Sequence, residues 1–418
     1  MKNIVTLLGS IIVILLFSTQ TTIAQDKEKK ITLKAGGFIW AETIYDTRQV
    51  VSAREGDVIL YPAKKLMDAH GEDINKSADF TMANIHSRAL LKVSATPKFL
   101  NAKVSGLLEV DFVGTTNDKI GLLRLRHAMM KLNWKKAELL FGQYWHPMFT
   151  IESFPQVVSW GGAIPFHPLS RNAQIRYSYL PTSNSRLSLS ICTQLDFKSP
   201  GPLGPSTKYL RDSGLPEVNA SYVIGLNSKV LLGGTIGYKV LKPALSYEYG
   251  GEVFKCTETI GSYQMNFFTR IKIKKAAIRG GVIYGQNLYN FVMLGGYGVS
   301  GFKSNGEATF TNLNTGSYWF DFDSGAIKNK FSLGVYAGYT KNYGADDEIV
   351  GDVYARGTDI DHAYRIAPRV IFGTGLVRFR FETIYNVAAY GTPNEKFEVE
   401  DTENATNFRF LFATTLSF

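Results

Sequence analysis

The sequence predicts an all-β protein, a transmembrane antiparallel β-barrel of about sixteen strands with one loop folded into its lumen. Three observations carry this expectation. The chain closes on an amphipathic segment that ends in a bare aromatic, it opens on an export-like segment, and short connections alternate with long ones between its apolar–polar runs.

In the closing segment NFRFLFATTLSF, Phe408, Phe410, Phe412, Leu416 and Phe418 share one parity, and Asn407, Arg409, Thr415 and Ser417 share the other. Successive side chains of a strand point to opposite faces, so one face is apolar and the other mostly polar. A strand of a soluble sandwich would alternate in the same way but would seldom stop on an aromatic with nothing after it to bury the ring. The segment is expected to close a barrel, with its Phe face against lipid and Arg409 toward the lumen.

At the other end, Lys2 precedes the apolar run Ile4 to Phe17, and the small residues Thr22 and Ala24 stand just before a cut ahead of Gln25. The run is shorter than the roughly 18 residues a spanning helix needs, so it reads as a secretory signal peptide. Residues 1–24 are assigned to the signal and 25–418 to a single barrel domain, placed in the bacterial outer membrane.

The formal net charge is +10, but no basic run is longer than the Lys29-Lys30 pair and its flank, which argues against nucleic acid as a partner. A positively biased pore is a better use of the charge in an exported chain. The two cysteines, Cys192 and Cys256, are too few for a disulfide framework and read as packing residues.

Taken in order, strands are expected at 30–45, 84–95, 103–112, 122–133, 138–145, 173–180, 187–195, 218–226, 230–238, 259–273, 276–285, 317–322, 331–340, 363–372, 376–390 and the terminal segment. The polar stretch from Asp46 to about Met82 reads as a loop, and the glycines of GGYGVSG as loop or strand glycines. Connections of roughly three to seven residues alternate with ones of roughly nine to forty, as periplasmic turns do with extracellular loops. An even count also returns both ends of the barrel to the periplasmic side.

On the inward parity lie Arg88, Lys103, Arg124, Arg126, Arg176, Arg270, Lys272, Arg378, Arg380 and Arg409, against Glu109, Asp111 and Glu382. This basic excess either governs selectivity or is spent in pairs across neighbouring strands. The segment 146–170 follows the fifth strand and carries Glu152, Phe154, Trp160 and Phe166. Its apolar content is out of place on a solvated loop and suits a constriction folded into the pore. No two histidines stand at metal-ligand spacing and no nucleophile motif is present, so no catalytic residue, metal or cofactor is expected.

The segments GLLEVDF (106–112), LRLRHAMMKLNW (123–134), LLFGQYWHPMF (139–149), RNAQIRYSY (171–179) and APRVIFGTGLVRF (367–379) resemble the DcaP-like porins, relatives of the phosphate-selective porins O and P. The resemblance implies a sixteen-stranded, trimeric outer-membrane porin that passes small solutes, often anions such as dicarboxylates. The arginine ladder and lysine cluster of the phosphate-selective members have no residue-by-residue counterpart here. The expected function is therefore passive diffusion of small hydrophilic solutes with anion preference, without a cofactor, in contact with outer-membrane lipid. A barrel enzyme acting on lipid and a non-conducting adhesin or scaffold are the rival readings.

Overall fold

The computed structural model describes residues 30–418 except 329 and 374, so the expected signal peptide lies outside the described residues. The described residues close into an antiparallel barrel of sixteen strands. These are β1 (Lys30–Asp46), β2 (Asp79–Ala83 and Arg88–Phe99), β3 (Ala102–Asp111), β4 (Arg124–Asn133), β5 (Ala137–Trp145), β6 (Arg171–Thr182), β7 (Ser185–Cys192) and β8 (Glu217–Ile224). They continue as β9 (Val230–Leu241), β10 (Ile260–Ile273), β11 (Ala276–Gln286), β12 (Ala308–Asp323), β13 (Phe331–Ala345), β14 (Ile360–Phe372), β15 (Val377–Pro393) and β16 (Val399–Ser417). Each strand pairs with its neighbour in sequence, and β1 closes the ring on β16 with Phe38 opposite Ser417 and Asp46 opposite Arg409.

The side-chain period of two explains the wall. Along β16, Phe408 and Phe412 are each 45% exposed on the outer face, whereas Asn407, Arg409, Leu411 and Ala413 are fully buried on the inner one. Lipid takes the place of a core on the outside, and the polar parity can be satisfied only inward.

Connections at the periplasmic end run from two residues (100–101) to seven (324–330), and those at the other end reach from 47 to 78. Several strands are longer than sequence patterning suggested: β15 has 17 residues and β16 has 19. A tilted strand crosses a bilayer in roughly 9–11 residues, so these two stand well above it as a tall hairpin.

The expectation of a plain loop between Asp46 and Met82 is corrected. Within it, Val50–Ala53 and Val58–Pro62 form a hairpin whose second strand is buried at every residue. Of the loop and strand alternatives for GGYGVSG, the strand holds: Gly295–Phe302 pairs with β12 and with Val353–Arg356 above the wall.

Candidate pore and its constriction

Segment 146–170 leaves β5 and crosses the lumen. Backbone groups along its whole length are held by the wall. The Asn266 side-chain amide on β10 donates to the Met148 carbonyl at 2.9 Å, Arg270 donates to the Glu152 carbonyl at 3.1 Å, and Ser317 on β12 donates to the Phe166 carbonyl at 2.8 Å. At the tip, the Val158 and Ser159 amides donate to the two carboxylate oxygens of Glu382 on β15 at 2.8 and 3.0 Å. An apolar segment in an otherwise polar lumen needs such anchors, because its backbone groups have left water.

The hairpin 50–62 is the second insertion. Arg409 donates to the carbonyls of Gly56 and Asp57 at 2.7 and 3.0 Å while holding both oxygens of Asp46. Arg365 bridges the two insertions, donating to the Leu60 and Ile164 carbonyls at 3.0 Å each.

Among the described residues, two chambers flank the tip of segment 146–170. The outer one, about 420 Å³, is lined by Arg54, Arg124, Asp196, Lys198 and Arg356 with Phe197 and Tyr289. The inner one, about 340 Å³, is lined by Arg88, Arg126 and Arg171 with Trp40, Trp145, Phe149 and Phe154. Trp160 lines both and stands between them. It is braced by the His86 ring, stacked at 5.6 Å, and by the Arg124 guanidinium 5.5 Å away. Trp145 and Phe149 stack at 3.8 Å to form the inner aromatic wall, with Arg126 and Arg171 set against Trp145.

The candidate arginines are not equivalent. Arg124 binds Asp111 through two bonds of 2.9 and 2.7 Å, and Arg126 binds Asp111 at 2.8 Å and Glu109 at 2.5 Å. The two side chains thus sit in the lumen wall but are paired by their strand neighbours. Arg88 lines the inner chamber over the Phe38 ring at 5.2 Å and makes no ion pair among the described residues. Arg176 faces a smaller recess beneath segment 146–170, where it donates to the Trp145 carbonyl at 2.7 Å. Lys103 and Arg378 are exposed near the periplasmic turns, and Arg380 lies over Trp40 and donates to the Thr415 hydroxyl.

Two candidates need correction. Arg409 does not face open lumen, because the hairpin 50–62 fills that side and uses the guanidinium as its clamp. Phe166 lines neither chamber. It is fully buried between segment 146–170 and the wall, where Gly338 leaves room for its ring: a Cβ there would meet Phe166 at 2.7 Å. Of the remaining loop candidates, Phe154 and Trp160 line the inner chamber, whereas the Glu152 carboxylate ties the loop to Arg186 on β7. His167, in the same loop, is fully buried, edge-on to the Phe149 and Trp319 rings and 3.4 Å from the Thr150 hydroxyl.

Parity alone overlooked Arg54, Arg171 and Arg356. Arg171 stands at the mouth of β6, where the chain is still emerging from the constriction loop, and the other two belong to extracellular connections. His127 lies inside the wall beside Arg126 although the two are adjacent in sequence. The β3–β4 ladder shifts register between Glu109 and Val110, which leaves Arg126 unpaired in a bulge, and Arg126 and His127 are both buried.

No family model and no curated protein matches this chain. Solved structures do. The outer membrane channel DcaP of Acinetobacter baumannii superposes with a TM-score of 0.67 at 17% identity, over 93% of this chain and 97% of that one.

This is an outer-membrane porin fold.

The anion-selective porin from Comamonas acidovorans matches with a TM-score of 0.54 at 10% identity, over 94% of this chain and all of that one. Salmonella typhi OmpF, solved with daunomycin, matches with a TM-score of 0.54 at 8% identity, over 92% and 97% of the two chains. The porin barrel therefore frames the two chambers, as the sixteen-strand, DcaP-like expectation required.

Proposed function

We propose that this protein is a porin of the bacterial outer membrane that passes small hydrophilic solutes by passive diffusion and prefers anions. One observation carries the preference: the two chambers on either side of Trp160 are lined by seven cationic side chains and a single carboxylate, Asp196. Fixed charges in a narrow, low-dielectric passage act on a permeating ion at close range, so the sign of the lining sets which ion is concentrated there. Asp111 and Glu109 offset part of the field of Arg124 and Arg126 from behind, while Arg88 has no such partner among the described residues.

The protein acts without catalysis in this reading, and its specificity resides in pore width and lining charge. A homotrimer is the expected assembly; an outer membrane protein of Vibrio cholerae with the same fold, OmpT, has been solved in a trimer form, with a TM-score of 0.54. Proteoliposome swelling tests the reading. Vesicles carrying the folded protein should swell in small neutral sugars and faster in small sodium carboxylates. Vesicles that stay impermeable to both would make this a closed barrel, the adhesin or scaffold alternative.

A further inference from the structure

We infer that Glu42, Asp57 and His86 form a binding site for a divalent transition-metal ion, with Zn²⁺ as the natural probe, at the edge of the constriction. The three residues come from three elements: Glu42 from β1, Asp57 from the tip of the inserted hairpin, and His86 from the break between the two halves of β2. One donor atom from each lies within 4.8 Å of the other two. All three side chains are more than nine-tenths buried.

The hydrogen-bond accounting is what points to a cation. His86 Nε2 lies 2.7 Å from Asp57 Oδ2, and its Nδ1 lies 3.4 Å from Glu42 Oε1, so a carboxylate stands at each ring nitrogen. A neutral imidazole has one N–H and can satisfy only one of them. Glu42 Oε1 and Asp57 Oδ1 are buried without a hydrogen-bond partner, and the close Nε2–Oδ2 approach lacks the geometry of a hydrogen bond, so it leaves those two atoms unsatisfied as well. Buried polar atoms normally find partners, and carboxylates taken out of water need a positive charge beside them.

Arg409, which bonds the Asp57 backbone, is already engaged. The Arg409 side chain is spent on Asp46 and on the Gly56 and Asp57 carbonyls, which place Asp57 without neutralising it. Arg54, on the same hairpin, projects into the outer chamber. A divalent ion would neutralise both carboxylates at once. Two carboxylate oxygens and an imidazole nitrogen suit Zn²⁺ or a related first-row ion better than Mg²⁺, which favours an all-oxygen shell. Glu42 is further fixed by Trp40, whose indole N–H donates to Oε2 at 2.9 Å, the kind of outer support that orients a ligand.

Access and consequence follow from position. His86 lines the inner chamber, so an ion reaches it from the pore. Its ring stacks on Trp160, the divider between the chambers, so occupancy would hold both the hairpin and that indole in place. The three ligands are far apart in sequence, which is why spacing rules do not find them.

The test uses the folded, full-length protein in detergent, freed of metal by chelation. Titration with Zn²⁺, read by calorimetry and by metal content after desalting, should give one ion per chain. His86→Gln and Asp57→Asn should each weaken binding at least tenfold while keeping the heat-modifiable mobility of the folded barrel. Asp57→Asn lies outside the barrel strands and so keeps the test valid if the His86 variant folds poorly. In planar bilayers, micromolar Zn²⁺ but not Mg²⁺ should change the single-channel conductance of the parent and leave Asp57→Asn unaffected. Equal Zn²⁺ content in the parent and a folded Asp57→Asn variant, or tight binding of Mg²⁺ in place of Zn²⁺, would overturn the assignment.

Discussion

Replacing Glu382 by Gln should loosen the divider of the pore without disturbing the barrel. In the parent, the fully buried carboxylate receives the Val158 amide at 2.8 Å and the Ser159 amide at 3.0 Å, next to Trp160. Hydrogen bonds to a charged acceptor contribute about 1.5–3 kcal/mol each. The Gln amide has the same shape but offers one acceptor, and its NH₂ group would face the second backbone N–H. One bond is lost and a buried donor is left unsatisfied, a cost of about 2–4 kcal/mol for the docked tip. At 1.4 kcal/mol per tenfold, the undocked population of the tip should rise by about thirty- to seven-hundredfold. Single-channel recording in planar bilayers should then show a larger conductance or flicker between two levels, with unchanged heat-modifiable yield. Traces from well-folded Glu382→Gln that match the parent in level and noise would mean that this clasp does not hold the constriction.

Three further outcomes follow from the same geometry. Changing Arg124 and Arg126 together to Glu should lower the folded yield, because Asp111 would be left buried against like charge; electrophoretic mobility of unheated samples measures this. Arg88→Glu, which breaks no ion pair among the described residues, should keep its yield and move the reversal potential in a salt gradient toward cations, most clearly at low ionic strength. Gly37→Val and deletion of Phe418 should each impair closure and lower the heat-modifiable, folded fraction. Gly37 exchanges backbone hydrogen bonds of 3.1 Å with Phe418, and a Cβ at position 37 would lie 2.2 Å from the Arg88 carbonyl.

The barrel was legible because lipid on one side and a polar lumen on the other impose a period of two that short turns do not obscure. All sixteen strands fall where the alternation placed them, with ends extended where hairpins rise beyond the membrane, as in β15 and β16. The constriction segment was readable from an apolar content that solvent would not tolerate. What parity could not show was how the lumen is filled. Val58–Pro62 is an apolar run inside a polar stretch, and its burial depends on Arg409 and Arg365, which come from strands more than three hundred residues away. The same long-range packing took Arg409 and Phe166 off the pore surface and brought Arg54 and Arg356 onto it. Local departures from regular pairing, such as the bulge at Arg126, reverse parity over one or two residues and leave no mark in composition.

In the proposed function a cation-lined passage runs past Trp160. The most direct measurement is the zero-current potential of the reconstituted parent across a tenfold gradient of potassium chloride. A reversal potential displaced toward the chloride equilibrium potential, shrinking as both solutions are made more concentrated, is the predicted result. Displacement toward the potassium potential, or the absence of any channel steps from folded protein, would contradict it.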